Sequence, residues 1–229
     1  MKRNLILLVI VAFAASAQAQ EPWPQERPDE REQVVINEDG GRSFIIKPSS
    51  TPLHGVVKPG NPVVADLQQN SVFLGSHWAE PAQRARESQL SSLLANIRDR
   101  AQLDDLDQSG IKNLFGATTS QEKLDVPSDR DINDLEIQSV LMGMFKDGSL
   151  PRPDSGTIYV IFLDPGLHST LGSLVAGKHY VAYHGFLNAS GAKIHYAVIP
   201  FQADPKSAYQ IALRALVVAA LNPTGSYSN

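Results

Sequence analysis

The stretch that decides the fold is Thr157-Ile-Tyr-Val-Ile-Phe-Leu163-Asp-Pro-Gly166, followed by His179-Tyr-Val-Ala-Tyr-His-Gly-Phe186, Ile194-His-Tyr-Ala-Val-Ile-Pro200 and an apolar run ending at Leu221-Asn-Pro223. Seven residues from Thr157, six of them apolar and four β-branched at Thr157, Ile158, Val160 and Ile161, describe a strand covered on both faces, hence central in its sheet. Asp164-Pro-Gly166 stops it. Ile194–Pro200 alternates less cleanly and ends in proline, which reads as an antiparallel edge strand. Lys206–Leu221 carries Ile211, Leu213, Leu216, Val217, Val218 and Leu221 nearly all round, so it reads as a helix buried on more than one side.

Upstream, Ser71-Val-Phe-Leu-Gly75 reads as the first strand of the main domain and closes on Ser76-His77-Trp78. Pro81 suits a helix start, and Leu90, Leu93, Leu94 and Ile97 recur at helical spacing behind it. Ile111–Thr118 reads as a weak strand, and Leu103 and Leu106 as a turn of helix before it. Ser128 or Asp129 would cap the next helix, whose apolar face runs from Ile132 through Ile137, Leu141 and Met144 to Asp147-Gly148. Strands alternating with helices predict one α/β domain, with a mixed, largely parallel sheet of four or five strands and flanking helices, over residues 61–229.

Residues 20–60 read as a disordered leader, a small hairpin and a Pro/Gly/Ser-rich linker. The hairpin joins Val34–Asn37 to Ser43–Lys47 across Glu38-Asp-Gly-Gly41, and its place on the domain or on the tail stays open. Residues 1–19 have Lys2 and Arg3 before the apolar run Leu5–Ala15 and the exit Ala17-Gln-Ala19, the pattern of a cleaved signal peptide. The expectation is a secreted or periplasmic protein with no membrane span after cleavage. Loss of Lys2 and Arg3 moves the formal charge from −4 to −6, an acidic balance that argues against nucleic acid as partner. The chain has no cysteine, which excludes disulfides, thiolate metal sites and a thiol nucleophile. No internal repeat stands out.

Several pieces, in order and spacing, resemble the EXORDIUM family of phosphate-induced secreted proteins and their bacterial relatives. They are Leu74-Gly-Ser-His-Trp78, Asp147-Gly-Ser-Leu-Pro151, Asp164-Pro-Gly166, Tyr183-His-Gly185, Tyr196-Ala-Val-Ile-Pro200 and Asn222-Pro-Thr-Gly-Ser-Tyr227. The resemblance covers about residues 60–229 and implies a zincin-like order of strands and last helix. Many bacterial relatives resemble zinc metallopeptidases in carrying a His-Glu pair and a second Glu in that helix, before Thr-Asp-Pro. Aligned by the proline, that His falls on Arg214, its Glu on Ala215, the second Glu on Val218 and the Asp on Asn222. Arginine is permanently protonated, alanine activates no water and valine offers no lone pair, so the resemblance implies a metal-free, non-catalytic member without cofactor.

Residue by residue, the candidate cleft or binding positions are His77, Trp78, His179, Tyr183, His184, Arg214, Asn222 and Tyr227. His77, His179 and His184 lie near strand ends, where three imidazoles could converge on a metal ion. Trp78, Tyr180, Tyr183, Phe186 and Tyr227 could line a sugar-binding surface by stacking. Arg214 inside an apolar helix needs a carboxylate partner or a path to solvent. No Gly-x-Ser-x-Gly elbow and no phosphate-binding glycine loop occurs. The leading expectation is a secreted binding protein for an extracellular glycan or protein, and the alternative is a hydrolase with a degenerate or rebuilt metallopeptidase site.

Overall fold

A computed structural model of the chain describes residues 33–36, 42–47, 64, 66–97, 113–151, 156–189 and 192–223. The signal segment, the leader and linker readings, the hairpin loop, the helical turn at Leu103–Leu106 and the terminal Tyr227 lie outside the described residues. Among the described residues, ten strands and three α-helices follow in the order β1 (Gln33–Ile36), β2 (Arg42–Ile46), β3 (Asp66–Leu74), α1 (Pro81–Ala95), β4 (Asn113–Lys123), β5 (Arg130–Asn133) and α2 (Asp134–Asp147). After these come β6 (Thr157–Leu163), β7 (Leu167–Leu171), β8 (Leu174–Val175), β9 (Ala182–Ala189), β10 (Ala192–Ile199) and α3 (Pro205–Leu221). The α/β class and the mixed sheet follow the sequence reading.

Seven strands form the main sheet in the order β1-β2-β9-β10-β6-β3-β4, and β5-β7-β8 form a small second sheet. β10 pairs with β6, β6 with β3 and β3 with β4 in parallel, whereas β1-β2, β2-β9 and β9-β10 are antiparallel. The sheet is therefore half parallel rather than largely so, and larger than four or five strands. β6 is central as expected, with all seven residues buried. β10 is not an edge strand: it sits between β9 and β6, at the line where strand direction changes. Its residues Ile194–Ile199 are all buried, and Pro200 lies one position beyond the last ladder pair, so its missing N–H removes no sheet hydrogen bond. The β1-β2 hairpin belongs to the main sheet, through β2 against β9.

Alternation along the strands sorts side chains into two cores. One face carries Phe73, Ile158, Val160, Phe162, Ala197 and Ile199 under α1 and α3. The other carries Val72, Leu74, Tyr159, Ile161, Tyr196 and Val198 under α2 and the small sheet. α2 begins at Asn133, not at Ser128 or Asp129. The Asn133 side chain accepts from Glu136 N–H while the Glu136 carboxylate accepts from Asn133 N–H, and Gly148 closes the helix at φ 80°. Ile132 consequently belongs to β5. Among the described residues, no helix is long and apolar enough to cross a membrane.

One buried carboxylate ties these layers together. Asp134, the first residue of α2, accepts from the Tyr196 hydroxyl of β10 (2.8 Å), from Gln138 Nε2 (2.8 Å) and from Ser43 Oγ of β2 (3.1 Å). Burial first, and the Asp134 charge second, hold the Tyr183 and Tyr196 hydroxyls well above the usual phenol range. Gly185 is required here, since a Cβ would stand 2.8 Å from the Tyr196 oxygen.

Candidate functional site

In an open α/β sheet, ligands bind outside the carboxyl ends of parallel strands where neighbouring connections leave in opposite directions. β3 continues through α1 to β4 on one side, and β6 leads away towards β10 on the other, so β3 and β6 flank that point. Leu74 and Leu163, their last residues, are in register. Next in each chain come Gly75-Ser-His-Trp78 and Asp164-Pro-Gly166, two of the pieces that carry the family resemblance, and they meet directly.

Asp164 is the hub and is fully buried. Its Oδ2 accepts the His77 backbone N–H (2.8 Å) and the Ser128 hydroxyl, and its Oδ1 accepts Gly166 N–H (2.9 Å). Its own N–H donates to Leu74 O (3.0 Å). Gly75 stands at φ 121°, and a Cβ on it would overlap the Asp164 carboxyl, so only glycine lets strand and hub come this close. Ser128 gives its one proton to Asp164 and accepts from both Ser76 N–H and Ser76 Oγ (3.0 Å each). With its proton and both lone pairs in use, that hydroxyl is a structural tie and not a free nucleophile.

The hub aims two side chains outward. Ser76–Ala79 form a single 3₁₀ turn, and His77 projects from it with its side chain 29 % exposed. His77 Nε2 lies 3.3 Å from Asp129 Oδ2, and Nδ1 lies 4.0 Å from Glu80 Oε1. Asp129 is the one non-glycine among the described residues at positive φ, 61°, a conformation that costs free energy and concentrates at functional sites. Gly166 makes room for it, since a Cβ there would come 2.7 Å from Asp129 N. The same loop leads into a groove of about 500 Å³ whose lining includes the apolar Val126, Leu135 and Val140. Two ion pairs also contribute to the lining, Arg130 to Glu136 (2.6 Å) and Lys123 to Asp125 (3.0 Å). Hydrogen bonds from the Asn133 N–H and the Arg130 side chain hold Glu136 below the usual carboxylate range, against the opposing effect of burial.

The other positions named from sequence lie elsewhere. Trp78 points into the core, edge-on to Phe73, with Nε1–H donating to Phe162 O (3.3 Å). Tyr180 and Tyr183 are buried as well, so the stacking platform expected of Trp78, Tyr180 and Tyr183 is core packing. Tyr183 and His184, being consecutive in β9, face opposite sides of the sheet and share no cleft. His184 is fully buried, stacked on Phe44 with ring centroids 4.9 Å apart. His179 sits in the turn after β8, its Nδ1 accepting Val175 N–H at 2.9 Å. The three histidines thus belong to three separate surroundings, and among the described residues no group of three or more His, Asp or Glu is disposed to hold a metal ion. Arg214 is half-buried and partnered, and Asn222 caps α3 with its N–H on Val218 O (2.9 Å).

Asp164 and Asp129 are not among the site residues that the sequence alone singles out. The signals were present, a lone Asp closing a fully apolar strand and an Asp in a Pro-Ser-Asp turn, but only the β3-β6 register joins them. The chain finds no match among family models, curated proteins or solved structures.

Proposed function

We propose that the chain is a secreted, non-catalytic binding protein of EXORDIUM type, which engages an extracellular partner, glycan or protein, at the carboxyl ends of β3 and β6. The observation that carries this reading is the junction of Gly75–Trp78 with Asp164–Gly166 through one buried carboxylate, which presents His77 and the strained Asp129 to solvent. On this reading α3 serves packing: Ala215 is fully buried in the core and Val218 packs against it. With Trp78, Tyr180 and Tyr183 in the core, recognition rests on hydrogen bonds from the His77–Asp129 pair and on the neighbouring groove.

The test is binding of purified protein to a glycan array and to immobilised extracellular proteins, repeated with His77→Ala and with Asp129→Asn. Both variants keep the backbone groups that build the hub. Each should weaken a specific interaction about tenfold or more, equivalent to roughly 1.4 kcal/mol, with unchanged melting temperature. Binding that neither change affects would overturn the site.

A hydrolase is the second reading, favoured by one feature: an imidazole oriented by a carboxylate is the arrangement of a general base. Turnover abolished by His77→Ala would establish it at the expense of the first. On the binding reading, zinc and chelator leave the thermal melt unchanged. A chelator-sensitive melt with stoichiometric zinc would return the metal-dependent hydrolase.

A further inference from the structure

Behind the site, α1 lies against the edge strand β4, and two glutamates meet across that contact. Glu87 projects from α1 and Glu122 from β4, close enough for their side chains to hydrogen-bond. Two ionised carboxylates cannot share such a contact, whereas a carboxyl and a carboxylate can, through one proton. The surroundings are built for such a pair. Ser120 Oγ reaches Glu87 Oε1 at 3.5 Å and is itself 3.3 Å from Ser91 Oγ, one helical turn further along α1. Arg84 Nη1 holds Glu122 Oε1 at 2.9 Å. Among the described residues, the ionisable groups acting on Glu87 are Glu122 from β4 and Arg84 from its own helix.

Arg84 also connects the pair to the site, since its Nε–H donates to Ala79 O (3.3 Å), the last residue of the turn that carries His77. On the other strand, Lys123 follows Glu122, and its carbonyl accepts Gly75 N–H (3.0 Å). We infer that Glu87 and Glu122 form a proton-binding clasp that fastens α1 to β4 and steadies the His77 turn when one proton is shared, loosening both when it is lost. This goes beyond the binding reading and does not depend on it.

The direction follows from the surroundings. Burial, then the Glu122 charge, push the Glu87 carboxyl up to about 7, with Arg84 and Ser120 opposing. A folded-state value above the unfolded one means that the contribution to stability is complete below about pH 4.5 and is lost as pH rises through about 7.

The experiment is a carboxyl-carbon NMR titration of the full chain with assigned glutamates. One carboxyl of the pair should titrate near pH 7, and the amide resonances of Ala79 and Glu80 should move with the same midpoint. In Glu122→Gln the Glu87 midpoint should fall, because the like charge is gone while burial remains. Glu87→Gln imitates the protonated form, so it should fold normally, abolish the midpoint near 7, and raise the melting temperature at pH 8 but not at pH 5. Ordinary glutamate midpoints for both residues in the native protein would overturn the clasp. So would a midpoint near 7 that the Ala79 and Glu80 amides do not follow.

Discussion

Asp164→Ala should remove about 3–5 kcal/mol of stability and the candidate site with it. The substitution leaves the Ser128 hydroxyl and the His77 and Gly166 N–H groups without their acceptor at a buried position, and each such orphan costs on the order of 1–3 kcal/mol, partly relieved by entering water. Against a total stability of roughly 5–15 kcal/mol, this is decisive. Asp164→Asn keeps the shape but turns an NH₂ toward donors, so it should lie between alanine and the native residue. Urea unfolding gives the stability, and the His77 ring resonances report whether the 3₁₀ turn keeps its place. The contrast with His77→Ala separates hub from tip: the tip variant should lose binding alone, the hub variant binding and stability together. A stable Asp164→Ala protein with native His77 resonances would mean that Asp164 does not organise this edge.

The second large effect concerns α3. Ala215→Glu should abolish folding, or lower the melting temperature by about 10–20 °C, because Ala215 is fully buried among apolar neighbours. A larger side chain there costs roughly 1–3 kcal/mol in overpacking, and an unpaired carboxyl adds several kcal/mol whether it ionises or takes up a proton. For a chain of this size about 1 kcal/mol corresponds to 2–4 °C. Rebuilding the metallopeptidase-like pattern with Arg214→His, Ala215→Glu, Val218→Glu and Asn222→Asp should therefore give an unfolded protein and not a zinc site. Arg214→His alone, at a half-buried position, should be mild. Calorimetry with and without zinc decides: a folded, zinc-stabilised quadruple variant would show that the helix kept an open site after all.

How far the sequence discloses this depends on whether a feature is local. β6 is legible because its apolar run meets a turn signal at each end, and α1 because Pro81 and four spaced apolar residues agree. α2 is legible in its body but not at its start. The capping pair Asn133 and Glu136 stood in the sequence three residues apart, yet Ile132 matched the helical period and masked them. β7 alternates buried and exposed over only five residues, and β8 has two, too short for a periodic signal. Pro200 gives β10 the look of an edge strand, but proline marks an edge only where its N–H would have been needed. The site is the least local feature of all. His77 was visible as a candidate, but Asp129 and Asp164 join it only through the pairing of strands far apart in sequence. Tyr183 and His184 show the converse: adjacent in the chain, they are divided by the strand's own alternation.

The change of strand direction at β10 also divides the molecule in time. β9 and β10 pair from Ala189 and Ala192 onward, as neighbours in the chain, whereas Gln68 must find Thr157 about ninety residues away. Hairpins close in microseconds, while contacts of such separation wait for a long loop to be ordered and set the overall rate. No cysteine exists to clamp that loop beforehand. Gly75 and Asp164 come together only at the carboxyl end of this long-range pairing, so the candidate surface cannot form before it.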